Sequence, residues 1–194
     1  AGLKTDIRTD VAVSWLPLYH DMGLIGFVIS PLVIPISTVF MPTMSFIKHP
    51  SRWVEALSKH RGTITFAPNF AYGLATKRTP PEKVKGMDLS RLRVLGAGAE
   101  PNNPQTLAAF VNHFAPAGLK PEAMMPVYGM AEATLAMTFS RLDEPLRTEQ
   151  LDGEIYATEG RAVPLPPEQQ AGRTVVEFVS CGWVFPDHTI EIMD

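Results

Sequence analysis

Apolar residues along this chain fall into short runs that alternate with stretches of helical spacing. Val11–Leu16 ("VAVSWL") is an apolar run ended by Pro17, which predicts a buried strand. The uncharged segment Met22–Ile47 reads as a buried helix followed by a buried, β-branched strand, "STVFM". Its length alone would let it cross a bilayer, but Pro31, Pro35 and Pro42 interrupt it and argue against a span. In "HPSRWVEALSKHRG", Trp53, Val54 and Leu57 share one helical face and Gly62 supplies the stop. "TITFAP" (Thr63–Pro68) is a strand, "NFAYGLATKR" a helix capped by Asn69, and "TPPEKVKGMDLS" a polar loop.

"LRVLGAGAEP" passes from a strand into a glycine-bearing turn, after which Asn103 and Pro104 suit an N-cap and a first helical residue. Leu107, Phe110, Val111 and Phe114 then recur at i, i+3, i+4 and i+7, the apolar stripe of a packed helix. "ATLAMTFS", "TVVEFVSCG" and "HTIEIMD" carry strand character. Leu142–Gly172 is polar and proline-bearing and reads as an insertion or long connection. Strands alternating with helices predict an α/β fold of layered mixed sheets with flanking helices. Ligands in such folds bind at loops following the carboxyl ends of strands, here "PLYHDMG", "GAGAEP" and "YGMAE".

Composition narrows this picture. A chain of 194 residues with 45% hydrophobic and 19% charged content can bury one sizeable core. A net charge of −3 and scattered cations exclude a nucleic-acid-binding face. One cysteine, Cys181, cannot form an internal disulfide and fits a reducing, cytoplasmic setting. The 18 prolines exceed the ~5% average and point to many short elements with stiff turns. The abrupt start "AGLKTDIRTD" lacks signal-peptide order, and the end "TIEIMD" looks like a cut strand. Together they suggest a piece of a longer protein.

Glu132 is the one charge in "MPVYGMAEATLAMTF". Either it reaches solvent at a strand end, or it is buried and needs a partner, a proton or a metal. Magnesium takes one or two carboxylates together with phosphate oxygens and water, and Tyr128 beside Gly129 could stack on a planar ring. Gly96–Pro101 allows close backbone approach to a ligand, but it lacks a Walker lysine and fits an ordinary strand-to-helix turn as well. His20 and Asp21 suit a turn or a ligand contact equally. Histidine spacing and the lone cysteine exclude a zinc site, and no GxSxG elbow is present.

In this order, "WLPLYHDMGLIG", "APNFAYG", "GAGAEP" and "YGMAEATL" resemble the adenylate-forming acyl-CoA synthetase superfamily, and within it the fatty acyl-AMP ligases. The resemblance implies activation of a fatty acid with ATP and Mg2+ to acyl-AMP and pyrophosphate. The acyl group would then pass to an acyl carrier protein serving polyketide or lipid synthesis. It implies that Gly98, Ala99, Glu100 and Pro101 line the adenine and that Tyr128 stacks on it. Gly129, Met130 and Ala131 would lie near the adenylate; the alanine at 131 is shared with the subgroup, where many superfamily members carry threonine. His20 would act at the acyl carboxylate and phosphate, and Glu132 would hold magnesium. Asp21, Met22, Gly23, Asn69, Phe70 and Gly73 would contact the acyl chain. No Ser/Thr/Gly-rich phosphate loop precedes Val11, and neither a TGD-like element nor the small C-terminal domain is present. The resemblance therefore places residues 1–194 in the middle of a large N-terminal domain and predicts an isolated chain with little or no ligase activity. Two alternatives stand beside it: a fatty acyl-CoA ligase, and a noncatalytic acyl- or nucleotide-binding module.

Overall fold

The computed structural model describes residues 2–193. Strands β1 (Val11–Ser14), β2 (Ser37–Phe40), β3 (Ile64–Ala67), β4 (Val94–Ala97) and β5 (Met124–Gly129) run parallel. Strands β6 (Ala136–Phe139) and β9 (Trp183–Val184) extend the sheet antiparallel, giving the order β2-β1-β3-β4-β5-β6-β9. The helices are α1 (Asp21–Leu24), α2 (Ser30–Val33), α3 (Thr43–Lys48), α4 (Ser51–Lys59), α5 (Asn69–Arg78), α6 (Pro81–Val84) and α7 (Pro104–Phe114). A π-helical turn, Ile25–Ile29, joins α1 to α2. The chain leaves β1 toward β2 but leaves β3 toward β4, so strand order reverses between β1 and β3. Such a reversal opens a crevice at the carboxyl ends of the strands.

Side chains of a strand alternate between two faces. One face lies under α4, α5 and α7, where Trp53, Tyr72, Phe110 and Phe114 are fully buried. Trp53 meets Tyr72 edge-on at 5.5 Å, and Tyr72 meets Phe110 at 5.1 Å. The polar tips are satisfied: Trp53 Nε1 donates to Thr65 Oγ1 (3.0 Å) and Tyr72 OH to Gly96 O (2.6 Å). Ile64, Val94, Met125 and Val127 form a second, smaller buried cluster, with Phe66 and Phe139 packed against it.

A buried ion pair ties the amino end of β1 to that of β4. Asp10 accepts from Arg93 Nε (2.9 Å), Asp6 N (2.8 Å) and Thr63 Oγ1 (2.7 Å), and Arg93 Nη2 makes a further bond to it. Burial alone would raise the Asp10 pKa, but these hydrogen bonds and the guanidinium charge hold the carboxyl below its ordinary value.

Several expectations need correction. Asn69 is the first helical residue of α5, not its cap; its Oδ1 instead accepts from Asn103 N at 3.0 Å. The α4 stop is a two-residue device: Arg61 takes the left-handed turn (φ 52) and Gly62 N donates to Leu57 O. Gly62 is required there by space, since a Cβ would sit 2.8 Å from Leu57 Cδ2 and 2.9 Å from Val13 Cγ2. Met22–Ile47 is not buried throughout; Leu32 and Val33 on α2 are each 78% exposed, and β2 is the sheet's edge strand. No helix among the described residues is long and apolar enough to cross a membrane.

Leu142–Gly172 is also more ordered than its pattern suggests. β7 (Thr148–Asp152) and β8 (Val175–Val179) form a separate antiparallel pair around α8 (Gly153–Glu159). Asp152 caps α8 and pairs with Arg173. The polar loop after α5 contains α6, anchored by buried Val84 and Leu89. "HTIEIMD" forms no strand over 188–193; no neighbouring strand is there to take its ladder, and Ile192 is 95% exposed. Its last residue, Asp194, lies outside the described residues.

Candidate functional site

A cavity of about 990 Å3 opens where the strand order reverses, at the upper end of the range for small-molecule sites. Its floor is the second sheet face, from Ala12, Ile64, Phe66 and Val127. Its roof is the α1–α2 segment, through Met22, Gly26, Phe27 and Ile34. Phe27 and Phe66 meet edge-on at 6.2 Å across it. The rim carries the polar and aromatic groups: Tyr19, His20 and Asp21 after β1, Ala99 after β4, and Tyr128 to Ala131 at the end of β5. An apolar interior with a polar rim suits a long apolar chain ending in a polar head.

All three candidate loops therefore contribute to one cavity. His20 and Asp21 lie 2.7 Å apart (Nδ1 to Oδ1). At that distance one of the two must carry a proton, and a hydrogen on His20 Nδ1 donated to Asp21 satisfies both. Met22 N then belongs to Asp21 Oδ1 at 2.7 Å rather than to Nδ1 at 3.2 Å. This leaves His20 Nε2 unengaged by Asp21. Gly23 lets this turn close: a Cβ there would fall 2.3 Å from Pro17 O, so the helix start is pressed against the loop after β1.

Tyr128 is 48% exposed, an aromatic face left open beside the cavity. Gly129 follows at a register shift between β5 and β6. The sequence suggested that this glycine leaves room for a ring; the structure shows the room taken by the chain itself. A Cβ on Gly129 would fall 1.9 Å from Leu135 O. The turn after it is strained, with Thr134 at φ 72, an outlier for a β-branched residue.

Glu132 sits in that turn and is exposed, next to cavity-lining Ala131. Its isolation from protein cations thus needs no buried ion to explain it, because water solvates it. Glu100 is exposed too and is engaged elsewhere, accepting from Phe70 N at 2.6 Å. Gly98 packs on β5, where a Cβ would fall 2.8 Å from Val127 Cγ2. Gly98, Glu100, Pro101, Glu132 and Gly23 do not line the cavity, and neither do Asn69, Phe70 and Gly73, which belong to α5 on the other face of the sheet, where Gly73 faces Thr106 of α7. Phe70 packs instead against Trp15, at 6.2 Å. No group of three or more His, Cys, Asp or Glu side chains among the described residues is arranged to hold a metal.

Sequence reasoning missed the apolar walls, Phe27, Phe66 and Phe139. Strand alternation could have placed Phe66 on the second face, but nothing in the pattern said that this face stays partly open.

Comparisons with known proteins point the same way. The family model described as "AMP-binding enzyme" matches residues 2–194. The long-chain-fatty-acid–AMP ligase FadD26 of Mycobacterium bovis is 38% identical over 92% of this chain and 30% of its own length. The 4-hydroxyphenylalkanoate adenylyltransferase of Mycobacterium marinum is 38% identical over 91% of this chain and 28% of its own. A structure from a study of fatty acyl-adenylate ligases from E. coli and L. pneumophila superposes with a TM-score of 0.93 at 38% identity, covering 100% of this chain and 34% of that one. A fatty acyl-adenylate ligase from L. pneumophila in complex with acyl adenylate and pyrophosphate gives 0.82 at 35% identity, covering 89% and 30%. The chain thus spans roughly a third of the length of the proteins it matches.

Proposed function

The chain belongs to the family of AMP-binding enzymes, and on that premise we propose that the whole protein joins a fatty acid to AMP. ATP would be the AMP donor and pyrophosphate the leaving group. The observation that carries this is the cavity: an apolar interior of about 990 Å3 that ends at a rim of Tyr128, His20 and backbone-exposing small residues. The apolar part would take the acyl chain, and the rim would take the adenylate.

In this reading the Tyr128 ring stacks on adenine, and Gly98 to Pro101 shape the pocket edge around it. Gly129, Met130 and Ala131 pass close to the adenylate. His20 stands where the acyl carboxylate meets phosphate; its Nδ1 is committed to Asp21, so Nε2 is the atom that faces the anions. Met22 and Gly23 hold that turn against the cavity, while Asn69, Phe70 and Gly73 support the wall behind. Glu132 fits a magnesium ion as a single exposed carboxylate, since that metal completes its shell with phosphate oxygens and water. Bound there, the ion would neutralise charge on the triphosphate. Transfer of the acyl group to a carrier-protein thiol, and a cytoplasmic site of action, complete the proposal.

The test is fatty acid-dependent ATP–pyrophosphate exchange by the full-length protein. Exchange with long-chain acids supports the reading; its absence across a panel of fatty and aryl acids overturns it. The isolated 194-residue chain should show little or no exchange, because Lys4 is the one lysine or arginine among the described residues that lines the cavity, and pentavalent phosphorus requires more positive charge than that. Adding coenzyme A and finding acyl thioester would redirect the assignment to an acyl-CoA ligase.

A further inference from the structure

The loops after β3 and β4 are fastened to each other by side-chain-to-backbone bonds that the function above does not use. Glu100 Oε1 accepts from Phe70 N at 2.6 Å, reaching from the β4 loop to the first turn of α5. Asn69 Oδ1 accepts from Asn103 N at 3.0 Å, reaching the other way. Asn102 Nδ2 donates back to Ala97 O (3.1 Å), and Asn103 Oδ1 caps α7 through Thr106 N (2.8 Å). The segment closed in by these bonds holds Ala99 in the left-handed region, at φ 69. A residue with a Cβ stays there only when its surroundings hold it. Ala99 is also the one residue of this loop that lines the cavity.

We propose that Glu100 and Asn69 form a reciprocal latch that presets the Ala99 turn for the nucleotide, with neither side chain touching the ligand. Both are positioning residues. The Glu100 carboxylate engages a backbone N–H through one oxygen, Oε1, and makes no ion pair among the described residues, so what the loop needs from it is an oxygen at that place and not a negative charge. Asn69 serves the β4 loop in the same way. The inference rests on the nucleotide-binding reading of the cavity and assigns its edge a control element.

The experiment is equilibrium AMP titration of the full-length protein and its variants, alongside KM for ATP, KM for fatty acid and thermal melts. Glu100→Ala should weaken AMP binding and raise KM for ATP by about tenfold, since the competent loop becomes a minor conformer, with KM for fatty acid unchanged. Glu100→Gln, which keeps the acceptor oxygen, should recover affinity to within about threefold of wild type. Asn69→Ala should act in the same direction, and the double variant should cost less than the product of the two, because both ties hold one loop. A Glu100→Gln variant as weak as Glu100→Ala would overturn the latch, because charge would then be what matters. Unchanged AMP affinity in both alanine variants, or melts lowered with affinity intact, would do the same. A wild type that binds AMP but activates no acid defeats the functional proposal alone, and the variant affinities still decide the latch.

Discussion

Under α4, α5 and α7, Trp53, Tyr72, Phe110 and Phe114 interlock with no exposed surface, and each polar tip has a partner. Across the same strands, Phe66, Phe27 and Phe139 are spaced about a void, and Tyr128 stands half in solvent. The first face is finished as a core; the second is finished as a container. Strand residues two apart serve the same face, so a single sequence such as "TITFAP" carries both instructions at once: Thr65 points to Trp53, while Ile64 and Phe66 point to the cavity. The sealed face can afford rigidity, and that rigidity is what aims the loops around the open one.

The comparison predicts unequal costs for truncation. Trp53→Ala should be the most damaging change, at about 4 kcal/mol, because it removes the centre of the aromatic cluster and leaves Thr65 Oγ1 with only its bond to Val13 O. Urea unfolding of the purified protein measures it; a loss under about 1 kcal/mol would mean that the face is not sealed as described.

Arg93→Ala should cost roughly 3 kcal/mol, at the low end for a broken buried pair because Arg93 is itself about a third exposed. Its pH signature separates it from a packing defect. The Asp10 carboxyl is held below its ordinary value of 3.8 in the native state, so its contribution is complete above that value. It is lost as pH falls through the lowered native pKa. Wild-type stability should therefore fall off in acid more steeply than that of Arg93→Ala, and parallel pH profiles would contradict the assignment.

Much of the sealed face was legible in advance. The Leu107, Phe110, Val111 and Phe114 stripe and the Asn103–Pro104 start of α7 follow from local rules, and the structure keeps them. The container was less legible. His20, Ala99 and Tyr128 were found through the loops that follow parallel strands, yet their walls were not, since an apolar residue beside a void has the same pattern as one in a core. β8 was read from "TVVEFVSCG", but β7 was missed because Thr148–Asp152 is mostly polar and its order depends on that distant partner strand. Glu132 was ambiguous: a lone carboxylate in an apolar stretch could reach solvent or be buried, and a sharp turn carries it out to water.

A finer test lies where the faces share a strand. Gly96 has its carbonyl bound by Tyr72 on one side and Phe66 lying over it on the other. A Cβ at position 96 would fall 2.0 Å from Phe66 Cδ1. Gly96→Ala should destabilise by about 2 kcal/mol through overpacking. Phe66→Ala should cost a similar amount, less than a fully enclosed ring, because part of its surface already faces the void. Combined, the two should cost less than their sum, since the second change removes the clash made by the first. Strict additivity in a thermodynamic cycle would show that the ring had already moved aside.

Tyr128→Ala should have the smallest effect on folding and the clearest effect on ligand. The side chain is half exposed, so stability should change by no more than about 0.5 kcal/mol. If its open face receives adenine, AMP affinity should drop by roughly 1–3 kcal/mol, the scale of one base–aromatic stack. Tyr128→Phe should keep most of that affinity, because stacking uses the ring and not the hydroxyl. A Tyr128→Ala protein that loses stability but keeps its nucleotide would place this tyrosine with the core, and the division between a sealed face and an open one would then fail at the residue where it matters most.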